Sequence, residues 1–292
     1  MINKLVIIGV GLIGGSFALS LREGGLVREI AGVGRSLENL SAALGTYVID
    51  SSSQDAAQAV PDADLVLLAV PVGQMAAVMQ AIAPHLSAHT VISDVGSTKQ
   101  EVVALAREHL AAHFPRFVPG HPIAGSEFSG VKAARGDLFR ARNVVLTPLS
   151  ETDPAATALL TDLWQRCGAT VSAMTPQQHD ALFAAVSHLP HMLAFALVDY
   201  IASQTNAAQL FNFAASGFRD FTRIAGSSPE MWRDICLANR DALLQQIGGY
   251  EQELARIKSL IATGDGAGLA ELFGQARTAR QGYIGSKPFI EE

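Results

Sequence analysis

The apolar positions of this chain change rhythm part-way along. In the first half, short apolar runs alternate with amphipathic stretches. Runs at 4–10, 29–33, 64–70 and 90–93 predict strands buried on both faces, the pattern of a parallel sheet. Further short strands are expected at 117–119, 143–147 and 169–172. Between them, helical spacing predicts helices at 16–22, 99–110 and 154–166, the last opening on Pro154, whose fixed φ suits a first helical turn. From Thr175 onward the spacing is helical and strand signals almost vanish. Thr175-Pro176 reads as a helix cap followed by a first-turn proline, and the helix is expected to run to about residue 203. Pro190 falls inside it and is expected to kink it and free backbone carbonyls. Later helices are expected at 230–263 and 269–281, with Gly264-Asp265-Gly266 as the turn between. The domain boundary is therefore placed near residue 173, giving domains 1–173 and 174–292.

The first strand runs into Gly9-Val10-Gly11-Leu12-Ile13-Gly14. Glycines at this spacing, between a strand and a helix, suit a dinucleotide. Gly9 permits the tight turn, Gly11 lets the backbone approach a pyrophosphate, and Gly14 lets the helix lie close on the strand. The helix start, with Leu12 and Ile13, offers free N–H groups and a partial positive charge to the phosphates. The first half thus predicts an α/β Rossmann-like domain with a mostly parallel sheet, and the second an all-α domain. Ligands in such sheets bind at the carboxyl ends of the strands. Val70 and Pro71 stand at one such end, and Asp94, Ser97 and Lys99 follow another. Ser97 or Thr98 can equally cap the helix that follows. The second strand ends at Gly34-Arg35-Ser36, where an NAD site usually carries an acid for the ribose hydroxyl. Arg35 and Ser36 offer a cation and a hydroxyl instead, which favours NADP over NAD.

Composition narrows the function classes. The 292 residues carry a net charge of −6, and the pI is about 5.7, which argues against nucleic acid as a partner. Cys167 and Cys236 are the two cysteines and form no CxxC pair, so a reduced, cytoplasmic protein is expected. The chain enters its first strand at once, so no signal peptide is expected. Mean hydropathy is +0.25, yet the longest suspicious run, 192–198, is far short of the roughly 20 residues a spanning helix needs. No membrane role is expected.

Three clusters bear chemistry. Gly120-His121-Pro122 follows a strand of the cofactor domain, so His121 should face the nicotinamide crevice. A histidine there can take a proton from a hydroxyl while hydride leaves the carbon that carries it. Ser126 and Glu127 follow closely, and Glu127 is a candidate for tuning the site. The second cluster is Ser187-His188-Leu189-Pro190-His191. Its two histidines have metal-ligand spacing but no evident third ligand, so no metal is expected. Binding of a carboxylate or carbonyl suits His191 better, and His188 reads as a core residue. The third cluster holds Arg219 and Arg223, four apart, ahead of Trp232. Arginine grips carboxylates bidentately, so paired arginines beside an aromatic suit a small acidic ring. Structural ion pairs with Asp220 are the alternative.

Together these clusters resemble the prephenate/arogenate dehydrogenase family of tyrosine biosynthesis, over nearly the whole chain. The carriers are 9–14, 94–99, 120–127, 187–191 and 217–232. The resemblance implies oxidative decarboxylation of a cyclohexadienyl acid and a helical domain that forms a homodimer. It also implies catalytic roles for His121 and Ser97, with Ser97 helping to hold His121 or the substrate hydroxyl. Arg223 would bind a substrate carboxylate, with His191, Arg219 and Trp232 shaping the pocket. Two other readings stand beside it. A β-hydroxyacid-type dehydrogenase would rely on a catalytic lysine in the helical half, where Lys258 and Lys287 sit in ordinary contexts. A non-catalytic NADP(H) sensor would have no need of His121 beside paired arginines.

Overall fold

The structure, a computed structural model, describes residues 1–126 and 128–285, of which 284 and 285 by backbone alone. Six strands form the main sheet: β1 (Ile2–Ile8), β2 (Val27–Val33), β3 (Ser51–Ser53), β4 (Leu65–Leu68), β5 (Val91–Asp94) and β6 (Phe117–Val118). Their order is β3-β2-β1-β4-β5-β6, and every pairing is parallel. The unbroken apolar runs follow from burial on both faces. Leu5 and Ile7 enter one core with Phe17, Leu21, Leu160 and Trp164. Val6 and Ile8 enter the other with Met75, Met79, Val102, Trp232 and Ile235.

The main sheet is parallel as expected, and the later strands leave it for a second one. Residues 117–122 divide at Pro119, and β7 (Gly120–Pro122) joins a separate sheet with β8 (Asn143–Leu146) and β9 (Thr170–Ala173). β7 runs antiparallel to β8, whereas β8 and β9 are parallel. Pro119 has no N–H to continue the first ladder, while its carbonyl accepts the Thr147 N–H at 2.9 Å. His121 therefore lies on a strand, opposite Val145, rather than in the loop after one. β3 was not expected at all, because three serines at a sheet edge carry no apolar signal.

From residue 176 the described chain is helical. The helix Pro176–Phe183 opens on a capping box between Thr175 and Gln178. It passes through a π-helical turn, Ala184–His188, into the helix Leu189–Ala202. Pro190 thus acts through a widened turn: it cannot donate to a carbonyl one α-turn back, and the helix adds a residue there. The Ser187 carbonyl is met by the His191 side chain, whose Nδ1 donates to it at 2.9 Å. The run 176–202 is long and apolar enough to cross a membrane by length and composition. Its buried side chains nevertheless include His179, Asp180 and His188, each bonded to another part of the protein. The helix expected over 230–263 is broken at Asn239, between Pro229–Ala238 and Arg240–Ala262.

By compactness the chain divides between Leu243 and Leu244, later than the change of element type near 173. The first unit holds both sheets and every residue discussed below. The second holds most of Arg240–Ala262 and the helix Gly266–Gly285, which opens with the Gly268 N–H donating to Asp265 at 2.9 Å.

Candidate active site

The glycine turn has the geometry a dinucleotide needs. Gly9 has φ +103°, and a Cβ there would stand 2.2 Å from the Ala69 carbonyl oxygen. A Cβ on Gly14 would stand 2.5 Å from the Gly9 oxygen and 2.8 Å from Ile7. Both glycines are thus required by the protein's own packing. Gly11 differs: a Cβ there would meet nothing within 4 Å. The open space lies at the N-terminus of the helix Leu12–Glu23, which has no side-chain cap and no acidic residue in its first turn. An uncapped helix start facing open space fits a pyrophosphate.

At the end of β2, Arg35 and Ser36 are both exposed. Ser36 caps the next helix, accepting the Asn39 N–H at 3.2 Å. The Asn39 amide spans the site, donating to the Val10 carbonyl at 2.6 Å and accepting the Val131 N–H at 3.1 Å. A hollow of about 250 Å³ lies here, lined in part by Ser36, Glu38, Ser129 and Lys132. A larger one, about 530 Å³, lies against the helix Pro154–Arg166 and holds none of the candidate site residues.

Asp94 is fully buried and engaged within the protein. It accepts the N–H groups of Gly96 and Gly120, at 2.7 and 3.1 Å, and pairs with the equally buried Lys99. Lys99 also donates to the Gly120 carbonyl at 2.7 Å. This ion pair therefore holds both backbone groups of the residue before His121. Burial lowers the Lys99 pKa, against the pull of Asp94. Val70 is half-buried, and Pro71 is exposed at the start of the 3₁₀ turn Val72–Gln74.

His121 is held by a residue the sequence reading passed over. Its Nδ1 lies 2.8 Å from Nε2 of His179, whose own Nδ1 lies 2.8 Å from Asp180. Asp180 also accepts the N–H groups of Lys99 and Gln100, at 2.8 and 2.9 Å, at the start of the helix Gln100–His109. Phe183 packs against both imidazoles, with centroids 4.9 and 4.5 Å away. Burial lowers the His121 pKa well below its usual value, and His179, Lys99 and His188 add to the effect. His179 is lowered too, chiefly by burial and against its bond to Asp180. Burial raises the Asp180 carboxyl, but its bonds from His179, Gln100 and Lys99 outweigh this and hold it low. Ser97 is half-buried and its backbone lies beside the His188 ring.

His188 is buried, and burial pushes its pKa down to about 4 despite nearby Asp180. Asn239 donates to its Nδ1 at 3.1 Å and to the Asp180 carbonyl at 2.8 Å. That double use of the amide accounts for the helix break at Asn239. His191 stacks on Trp232, with centroids 3.8 Å apart and planes at 21°. Its pKa is lowered by burial, opposed by the Ser187 bond, and lowered further by the nearby Arg223. The structure therefore gathers His121, His179, His188, His191, Trp232 and Arg223 in one region. Arg219 is exposed on the helix Ser216–Thr222. Ser126 is exposed and bonds the backbone of Phe128. Glu127 lies outside the described residues. Among the described residues there is no cluster of three His, Cys, Asp or Glu that could hold a metal.

Comparison with known proteins agrees over nearly the whole chain. Residues 17–173 match the family model for the nucleotide-binding domain of prephenate dehydrogenase, and 175–275 that for its dimerization domain. A prephenate dehydrogenase of Bacillus subtilis is 38% identical over 284 residues, covering 97% of this chain and 76% of its own. A cyclohexadienyl dehydrogenase of Zymomonas mobilis is 35% identical, covering 95% of each. Among solved structures, prephenate dehydrogenase from Aquifex aeolicus, in complex with hydroxyphenyl propionate and NAD+, superposes with a TM-score of 0.91. It is 37% identical, over 97% of this chain and 99% of that one. The arogenate dehydrogenase of Synechocystis gives 0.80 at 31% identity, over 96% and 99%.

Proposed function

The chain belongs to the prephenate dehydrogenase family, and from that premise we propose that it carries out the oxidative decarboxylation of prephenate, of arogenate, or of both, in tyrosine biosynthesis. It is an NAD(P)-binding dehydrogenase, and the hydroxyacid-dehydrogenase and sensor readings are not favoured. The observation that carries the proposal is the bonded chain His121–His179–Asp180 beside the stacked pair His191–Trp232. A neutral imidazole backed by a carboxylate suits removal of a hydroxyl proton. A cation-flanked aromatic platform suits an acidic ring.

A dinucleotide held by the glycine turn would supply a hydride acceptor for the ring carbon that bears the substrate hydroxyl. Gly9, Gly11, Leu12, Ile13 and Gly14 would hold the pyrophosphate, and Val70, Pro71 and the Asp94–Lys99 pair would shape the far end. His121 takes the hydroxyl proton as hydride leaves, and returns it to the phenolic oxygen as the ring carboxylate departs as carbon dioxide. The electron pair of the broken C–C bond completes the aromatic ring, so no proton is consumed overall. Ser97 assists at the hydroxyl. Arg223 binds a substrate carboxylate, with His191, Arg219, Trp232 and Ser126 completing the pocket.

Three finer assignments belong to the same proposal. Arg35 and Ser36 favour NADP, because no acid stands at the end of β2 to bind a ribose hydroxyl. The domains are 1–173, for the dinucleotide, and 174–292, for substrate and dimer. The homodimer is supported by the match to a dimerization domain and by the exposed apolar residues Val186, Tyr200, Phe211 and Phe213. That use of the apolar helix 176–202, and the reduced cysteines, support a cytoplasmic enzyme. The test is a two-by-two assay of nicotinamide reduction, prephenate and arogenate each with NAD and NADP. Reduction in any arm establishes the reaction, and the ratios give substrate and cofactor preference. A folded, cofactor-binding protein inactive in all four arms overturns the proposal.

A further inference from the structure

Resting on the reaction proposed above, we infer that Asp180 and His179 are positioning residues that fix the proton of His121 on Nδ1, leaving Nε2 as the atom that takes the substrate proton. The argument starts at the carboxylate. Asp180 accepts two backbone N–H groups at the start of a helix, which favours its ionised, acceptor-only form. Its bond to His179 at 2.8 Å therefore requires the proton on His179 Nδ1. A neutral imidazole carries one N–H, so His179 Nε2 holds a lone pair and can only accept. Its partner 2.8 Å away, His121 Nδ1, must then be the donor. His121 Nε2 is left with the lone pair. One carboxylate so sets two tautomers in series, and the second is that of the base.

The same chain supports the charged form of the base. When Nε2 takes a proton, the His121 Nδ1–H becomes a donor from a cation, and such bonds are roughly twice as strong as neutral ones. His179 accepts that bond, and Asp180 behind it opposes the new charge. Phe183, packed on both rings, keeps the pair aligned. No group is oxidised or reduced in the relay. A single proton moves from the substrate hydroxyl to Nε2 and back to the phenolic oxygen.

The test joins spectroscopy to kinetics. In the wild-type protein labelled with ¹⁵N-histidine, the imidazole ¹⁵N shifts identify the protonated nitrogen, and loss of signals in His121→Asn assigns the resonances. The expected result is a protonated Nδ1 and an unprotonated Nε2 on His121. In His179→Leu the Nε2–H form should appear, and kcat should fall roughly 10- to 100-fold, part of the ~10²–10⁴ that a positioned base supplies, with KM within about twofold. His179→Gln, which offers an N–H to Asp180 and an oxygen to His121, should recover most of the loss. A wild-type His121 protonated on Nε2, or a His179→Leu enzyme with kcat within about twofold of wild type, overturns the inference. If His179→Leu does not fold, the wild-type spectrum decides. If the wild type turns over neither substrate, the functional reading fails, while the spectrum still reports whether the relay sets the tautomer.

Discussion

His191 and Trp232 stack face to face, 3.8 Å between centroids, although they arise from helices far apart in sequence. The stack joins two kinds of contact. Trp232 belongs to the core against the main sheet, while His191 is turned by its bond to the Ser187 carbonyl in the widened turn ahead of Pro190. The indole is thus held by both the core and the His191 ring. Its Nε1–H is buried without a hydrogen-bond partner among the described residues. A phenylalanine can keep the stack and most of the burial but carries no N–H. We expect Trp232→Phe to melt within a few degrees of wild type, yet to raise the substrate KM about tenfold, the worth of one hydrogen bond of ~1–1.5 kcal/mol. Thermal melts and steady-state kinetics check this. An unchanged KM would restrict Trp232 to packing.

His121 gives the largest expected effect. His121→Asn should reduce turnover roughly 10²–10⁴-fold while cofactor binding survives. The pH profile carries a second check. The base must be neutral, and burial among His179, Lys99 and His188 lowers the His121 pKa well below 6.5. The acid limb of the kcat–pH curve should therefore lie below pH 6.5. A limb at or above that value would identify another titrating group.

The two outer glycines and the middle one should separate stability from binding. A Cβ on Gly14 collides with the Gly9 oxygen and Ile7, so Gly14→Ala should lower the unfolding free energy read from urea denaturation, by an amount typical of overpacking, ~1–3 kcal/mol. A Cβ on Gly11 meets open space, so Gly11→Ala should unfold like wild type but bind NAD(P) more weakly. Denaturation and cofactor titration of both variants test this. Equal losses in both readouts would deny Gly11 its place against the pyrophosphate.

How much of this was readable beforehand depends on distance along the chain. The glycine turn, the Thr175-Pro176 helix start and the strand leading to His121 are local patterns, and each was readable. The partners of His121 and Asp180 were not. His179 is 58 residues from His121, and Asp180 is 81 from Lys99. No local periodicity reports a pairing across such separations. Asn239 failed for a related reason: its propensity only weakly opposes a helix, while its structural use is a bond to His188, 51 residues away. Pro190 announced a disturbance in the helix, but whether that becomes a kink or a π turn depends on what packs around it.

Cofactor preference turns on one side chain. Arg35 is exposed beside Ser36, whose hydroxyl is already used as a helix cap, so the cation is the part available to a 2′-phosphate. Arg35→Asp should move the ratio of kcat/KM values from NADP toward NAD, since an acid there binds a ribose hydroxyl and repels the phosphate. Ser36→Ala should instead cost about 1 kcal/mol of stability through the lost cap. An unchanged cofactor ratio in Arg35→Asp would place the phosphate elsewhere.

Buried histidines also make the fold sensitive to acid, and the sign follows from their lowered pKa values. A histidine whose folded pKa lies below its unfolded one stabilises the native state above the unfolded pKa. That contribution is lost as pH falls toward the folded value, because the unfolded chain binds the proton first. For His188 the window runs from 6.5 down to about 4. Folding to the Asn239 bond requires the neutral ring, since its Nδ1 must accept. Between these limits His188 alone should remove about 3 kcal/mol of stability, at 1.36 kcal/mol per pKa unit. His121 and His179, lowered in the same direction, add to the slope. Urea unfolding at pH 7, 5.5 and 4.5 should show stability falling steadily with acid. In His188→Asn, whatever its stability at pH 7, the fall should be shallower by about the His188 share. An equal slope in the variant would mean that His188 titrates in the native state as it does in the unfolded chain.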